Sequence, residues 1–140
     1  MKLPRNNKKL DEIFKNGRTP ELSELNGEYY VDMLTVLPSL KRFAHRKIFY
    51  HVNNAFLGHN ILFENKIWGH FFVEDGICEN PNPVKTALIN YNKNGNTFII
   101  NKIRDHVRCV SDDKALYLGR FNCKIGGRLF FLGYFSLSKI

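Results

Sequence analysis

No apolar run in this 140-residue chain approaches the roughly 20 residues that a membrane-spanning helix requires; the stretch 129–132 is only strand-sized. The first seven residues carry charge with no apolar segment behind them, so no secretory signal is expected and the reading is a cytoplasmic protein without membrane insertion. Cysteine is scarce. Cys78, Cys109 and Cys123 are odd in number and form no C-x-x-C pair, which argues against a disulfide framework or a zinc cluster and leaves three reduced thiols. His45, His51, His59 and His70 show no compact ligand spacing, so neither a metal nor a cofactor is expected. Internal repeats, low-complexity tracts and catalytic signatures are also missing. Acidic residues are outnumbered, 13 against 21 lysines and arginines, for a net charge of +8. Such a balance favours anionic partners. The basic residues are scattered, however, with only 41–47 dense enough to form a patch, and nucleic acid is therefore disfavoured as a partner.

What the chain has in quantity is short apolar runs separated by turn residues. Runs at 85–91, 97–110, 115–121 and 128–137 are broken at 92–96, 111–114 and 122–127 by asparagine, aspartate, serine, lysine and glycine. Strands joined so tightly must be antiparallel, because a parallel crossover needs a dozen or more residues. Further strands are expected at 28–35, 47–53, 60–64 and 66–74, with Pro38 ending the first. Ahead of them, Leu10, Ile13 and Phe14 recur at helical spacing, with Asn6 or Asn7 as N-cap and Gly17 as stop. The fold class is thus mainly β: a single antiparallel up-and-down β-barrel of about eight strands with a short N-terminal helix. Residues 1–24 read as a helical segment packing on the barrel and 25–140 as the barrel domain.

Twelve phenylalanines, six tyrosines and one tryptophan concentrate in these strands. They either fill a barrel or line a cavity for an apolar guest, and core filling is their ordinary role. Taking 111–114 as a hairpin loop puts Val110 opposite Ala115 and Asp105 opposite Arg120, both facing inward with Val107, Cys109, Leu116 and Leu118. An interior Asp105–Arg120 pair would mark either fold specificity or an anchor for a polar ligand group; the plain alternative is a surface cross-strand pair. Arg108 is the other candidate cation, on the face shared by His106, Tyr117 and Phe121. Tyr29, Trp68 and Tyr134 are the candidate aromatic wall. The last strand is apolar on both sides, so its outward set lies under the helix or in a homodimer interface.

Several segments resemble the lipocalin-like, or calycin, group, and more narrowly microbial lipocalin-like families with a Gly-x-Trp-x-Gly first-strand motif. Leu25-Asn26-Gly27-Glu28-Tyr29-Tyr30 is similar to that opening, with tyrosine where the motif has tryptophan. Ile67-Trp68-Gly69-His70-Phe71 resembles a Trp-x-Gly-Lys-x-Phe strand. Ile103-Arg104-Asp105-His106-Val107-Arg108, then Leu116-Tyr117-Leu118-Gly119-Arg120, then Phe135-Ser136-Leu137 resemble the Asp-x-x-Arg, Tyr-Leu-Gly and Phe-x-Leu ending. The resemblance implies a barrel related to carriers of small hydrophobic molecules and carries no reaction with it. The expected function is binding of a small hydrophobic ligand in the barrel, anionic if Arg120 or Arg108 anchors it. An enzyme acting on a small hydrophobic substrate in the same pocket, with His106 as acid–base group, is the alternative. A nucleic-acid module is third.

Overall fold

The computed structural model describes residues 2–37 and 45–140. Eight antiparallel strands follow one another in chain order and close on themselves: β1 (Gly27–Met33), β2 (Arg46–Val52), β3 (Ala55–Ile61), β4 (Ile67–Cys78), β5 (Val84–Asn90), β6 (Arg104–Cys109), β7 (Leu116–Ile125) and β8 (Arg128–Lys139). The seam is β1 against β8, with Val31 opposite Leu137 and Met33 opposite Phe135. Closure leaves no edge strand for another chain to pair with. Among the described residues, no helix is long and apolar enough to cross a membrane.

The N-terminal helix α1 (Asn7–Lys15) begins where the sequence places it. Asn6 caps it by accepting the Lys9 amide at 3.0 Å, and Leu10 and Phe14, four residues apart, are its buried stripe. It lies on the outer wall of the barrel over Leu34, Cys78, Leu118 and Tyr134. Leu118, Phe131 and Tyr134 of β7 and β8 therefore have a cover within the chain, while Leu129 and Phe130 stay exposed. A 3-10 turn, Leu22–Leu25, sends Leu25 into the lumen at the end where the β6–β7 hairpin lies. There Tyr117 donates to Glu24 at 2.9 Å, and Arg18 holds both oxygens of that carboxylate at 2.8 Å. Arg18 pulls the Glu24 carboxyl down to about 2.

Three strands differ from expectation. β7 runs on through 122–125, where a break is expected, and turns only at 126–127, because those residues keep pairing with β8. Asn53 and Asn54, both with φ near +60°, make a two-residue hairpin, so β3 starts at Ala55 rather than at residue 60. Residues 97–103 look like strand by composition but form a connection ending in a short 3-10 turn, and the Ile103 amide bonds Ile100 in place of a neighbouring strand. The expected strand end at Pro38 and the patch residues Lys41 and Arg42 lie outside the described residues.

The β6–β7 hairpin carries the main correction. The Val110 amide bonds Leu116 O at 3.0 Å, so the loop is five residues, not four. Ser111 Oγ accepts the Ala115 and Leu116 amides while Lys114 takes a left-handed φ of 57°. One extra loop residue shifts the register by one and turns every β7 side chain to the other face. Arg120 consequently lies opposite His106, not Asp105, and points outward with Leu118. Tyr117, Gly119 and Phe121 face the lumen instead.

Candidate functional site

Three described connections gather at one end of the barrel, β3–β4, β5–β6 and β7–β8, together with the end of β1 and the start of β2. The lumen just inside this mouth is polar. Lys47 from the start of β2, only 3% exposed, donates to Asn60 Oδ1 at 2.5 Å and to the Tyr91 hydroxyl at 2.7 Å. Asn60 Nδ2 also donates to the Tyr91 hydroxyl, at 3.0 Å. The rings of Phe71, Tyr91 and Phe135 surround the ammonium at 5.7, 5.4 and 5.5 Å. Asp105, on β6, is buried beside them, and its Oδ1 has no hydrogen-bond partner among the described residues.

A void of about 20 Å³ remains, lined by Met33, Lys47, Trp68, Tyr91, Asp105 and Phe121 among others. It accommodates one oxygen-sized atom. Deeper in, Tyr29, Phe49, Val73, Ile89, Val107 and Leu137 fill the barrel completely. Of the two outcomes the sequence leaves open, a filled barrel or an apolar cavity, the structure has a packed barrel with a small polar chamber near its mouth.

Burial drives the two ionisable groups of this chamber toward neutrality, from opposite sides. It raises the Asp105 carboxyl well above its ordinary range, with Lys47 partly offsetting, and lowers the Lys47 ammonium, with Asp105 partly offsetting. A carboxyl with a raised folded-state pKa contributes stability fully present below about pH 4 and lost as pH rises through the raised value. Replacing Asp105 by Asn removes that dependence. The stability of Asp105→Asn relative to the native protein is expected to grow between pH 4 and pH 8 by about 1–3 kcal/mol, read from denaturant midpoints at each pH. A difference that stays flat over this range would contradict the assignment.

The six residues singled out by sequence divide evenly. Asp105 lines the chamber, Trp68 stands at its mouth side, and Tyr29 is in the deep core, edge-on to Phe49 and Tyr117. Arg120, Arg108 and Tyr134 are on the outer wall beneath α1. Arg120 is placed there by the register shift described above. It donates to Asp11 of the helix at 3.0 Å and to the Tyr134 hydroxyl at 2.6 Å, and stacks on Phe131 at 3.8 Å. Tyr134, opposite Arg120, is outward by ordinary alternation with the inward Phe135 and Leu137, and a bulge between Phe121 and Asn122 brings Phe131 to the same face. Arg108 donates to the carbonyls of Phe14, Gly17 and Lys85 and to Thr19 Oγ1, which fastens the end of the helix to the barrel. His106 is also outside, bonded to Thr86 Oγ1 at 2.6 Å, and burial together with Arg120 lowers it to about 4. It faces no lumen group.

Arg120→Ala is therefore expected to cost about 2–3 kcal/mol in a denaturant melt, since Asp11 is partly exposed and turns to water, and to leave the chamber intact. Arg120→Ala with wild-type stability would contradict the ion-pair assignment.

Lys47, Asn60 and Tyr91 were missed by sequence reasoning. Their signal was a strand-borne lysine and asparagine on the same alternation as Phe49 and Gly58, visible only once the strand faces are assigned.

These features define a closed, eight-stranded antiparallel barrel with an N-terminal helix on its wall, a calycin-like fold. The chain is similar to a crystal structure of a protein from Thermomonospora curvata, with a TM-score of 0.64 and 15% identity over 96% of this chain and 88% of the other. That similarity is one of fold. No family model matches the sequence, and no curated protein matches it significantly.

Proposed function

We propose that the protein is a lipocalin-like binder of a small molecule with an apolar body and an anionic group, taken up at the mouth of the barrel. The observation that carries this reading is the buried Lys47–Asp105 chamber. Buried ionisable groups cost stability unless fully partnered, and a well-packed apolar pair of similar volume would serve the fold as well or better. Among the described residues the Asp105 Oδ1 is unpartnered and the ammonium uses two of its three donors. An incoming carboxylate or phosphate oxygen takes the third ammonium donor. A protonated Asp105 donates to the same anion rather than repelling it. The anchoring cation is Lys47, in the role that sequence gave to Arg120 or Arg108.

The apolar body of the ligand takes the place of the cover. Trp68, Phe121 and Ile103 are only partly buried, and Met33 is the flexible filler behind them. Their displacement admits a chain or ring that the 20 Å³ void alone does not hold. The resemblance of the segment order to lipocalin-like families supports the same reading.

Trp68 is the single tryptophan and reports on the test. Titration with a medium-chain fatty acid is expected to change its emission saturably, and the matching alcohol to do so at least about tenfold more weakly, the value of one charge-assisted contact. Lys47→Met is expected to bind acid and alcohol alike; it leaves Asn60 Oδ1 without its donor and costs stability, so its melt is read beside its binding to show that it is folded. Equal affinity for acid and alcohol in the native protein, or acid preference surviving in Lys47→Met, would refute the anchor.

A further inference from the structure

The mouth end of the barrel is basic at its surface and carries the most exposed apolar side chains among the described residues; the opposite end is not basic, and its apolar residues Val52, Ile77 and Ile140 are less exposed. Phe98 and Ile99 of the β5–β6 connection are 76% and 77% exposed, Phe63 of β3–β4 69% and Ile125 of β7–β8 60%. Beside them stand Lys66, Lys93, Lys102, Lys124 and Arg128, against Glu64 alone in those three connections. Asp32, at the nearby end of β1, is already paired with Arg5 at 3.0 Å. The connections at the other end carry Glu79, Asp112 and Asp113 against Lys114. Between two of the mouth connections lies a cleft of about 460 Å³, in which the apolar tips Phe98 and Ile125 flank Lys102, Arg104 and Lys124. The Lys102 ammonium sits 4.7 Å from the Phe98 ring centre.

Apolar tips projecting past a ring of cations match the interface of an anionic bilayer, where hydrocarbon lies beneath phosphate. We infer that this end docks on an anionic membrane surface, with Phe98, Ile99 and Ile125 entering the interfacial layer and Lys102 and Lys124 meeting lipid phosphates. The contact is peripheral, and so compatible with the sequence expectation of no membrane insertion. It stands independently of what the lumen binds, though a mouth that faces the bilayer suits a ligand drawn from it. A second copy of the chain is a poorer occupant, because a two-fold contact sets the same cations against themselves. Nucleic acid is poorer too, because Ile99 and Ile125 have no ring on which to stack a base.

The test is co-sedimentation of the full chain with phosphatidylcholine vesicles, with and without one third phosphatidylglycerol. Binding is expected only to the anionic vesicles, weakening as salt rises. Ile99→Asp with Ile125→Asp is expected to weaken it at least about tenfold through lost apolar transfer. Lys102→Glu and Lys124→Glu are each expected to weaken it roughly fivefold or more. Ile77→Asp, outside the mouth, leaves binding unchanged, and unaltered melting of every variant shows that the fold is kept. Four results would overturn the inference: no sedimentation with anionic vesicles, equal sedimentation with neutral ones, tip variants that bind as well as the native chain, or retention by single-stranded oligonucleotides without retention by vesicles.

Discussion

Arg108→Ala is expected to destabilise the protein by about 4 kcal/mol, enough to lower the melting temperature of a domain this size by more than about 10 °C. The guanidinium is nearly buried and donates to four acceptors in three separate segments: Phe14 O at the end of α1, Gly17 O and Thr19 Oγ1 beyond it, and Lys85 O on β5. It fills the gap where β5 and β6 part and where the Arg18 backbone pairs with Cys109, N to O at 2.8 Å in both directions. Removing it strands buried carbonyls, which cost more than the bonds were worth. Lysine restores one contact at most because it lacks the planar fork. Arg108→Lys is accordingly expected to recover less than half of the loss, measured by urea denaturation. Full recovery by lysine would contradict the four-way clamp and leave only a charge effect.

Gly58→Ala is the second large effect, expected near 3 kcal/mol from overpacking alone. Gly58 faces the lumen from β3, with an ordinary extended backbone and no special demand on φ. The requirement is space. A Cβ there would collide with the backbone oxygen of Ile48 and with two ring atoms of Phe71, which is fully buried between Phe49 and Tyr91. Neither neighbour has room to retreat, because the Ile48 oxygen belongs to the β2 strand and the Phe71 ring is wedged against the Lys47 ammonium. Gly95→Ala makes the comparison: its Cβ meets nothing within 4 Å, so only its φ of 97° opposes the change, at about 1 kcal/mol. If the two variants melt together, the close packing of the lumen is not as described.

Much of the barrel was legible because turn chemistry and alternation are local. The breaks at 92–96 and 111–114 fall in connections, of the break expected at 122–127 only 126–127 is a turn because β7 runs on to Ile125, and the helix begins at Asn6 with Leu10 and Phe14 inward, as their spacing dictates. What escaped was register. A hairpin loop of four residues and one of five look alike in sequence, yet that single residue decides whether Arg120 or Phe121 enters the lumen. The β6 faces were read correctly, with Asp105, Val107 and Cys109 inside, and Asp105 is the part of the candidate site that sequence found. Its partner was out of reach because Lys47 sits 58 positions away on β2 and only barrel closure brings the two together. A lone lysine in a strand ordinarily points to solvent, and nothing local marks this one as buried.

The central claim is that the Lys47–Asp105 chamber holds an anionic small molecule rather than merely closing the barrel. Native mass spectrometry of freshly purified protein, native and Lys47→Met side by side, tests it most directly. The account expects a discrete adduct on the native chain, released on denaturation as an acid, and no such adduct on a fully folded Lys47→Met. The same adduct on both proteins would contradict it, as would a native chain that carries no adduct and takes up no fatty acid when one is added in excess.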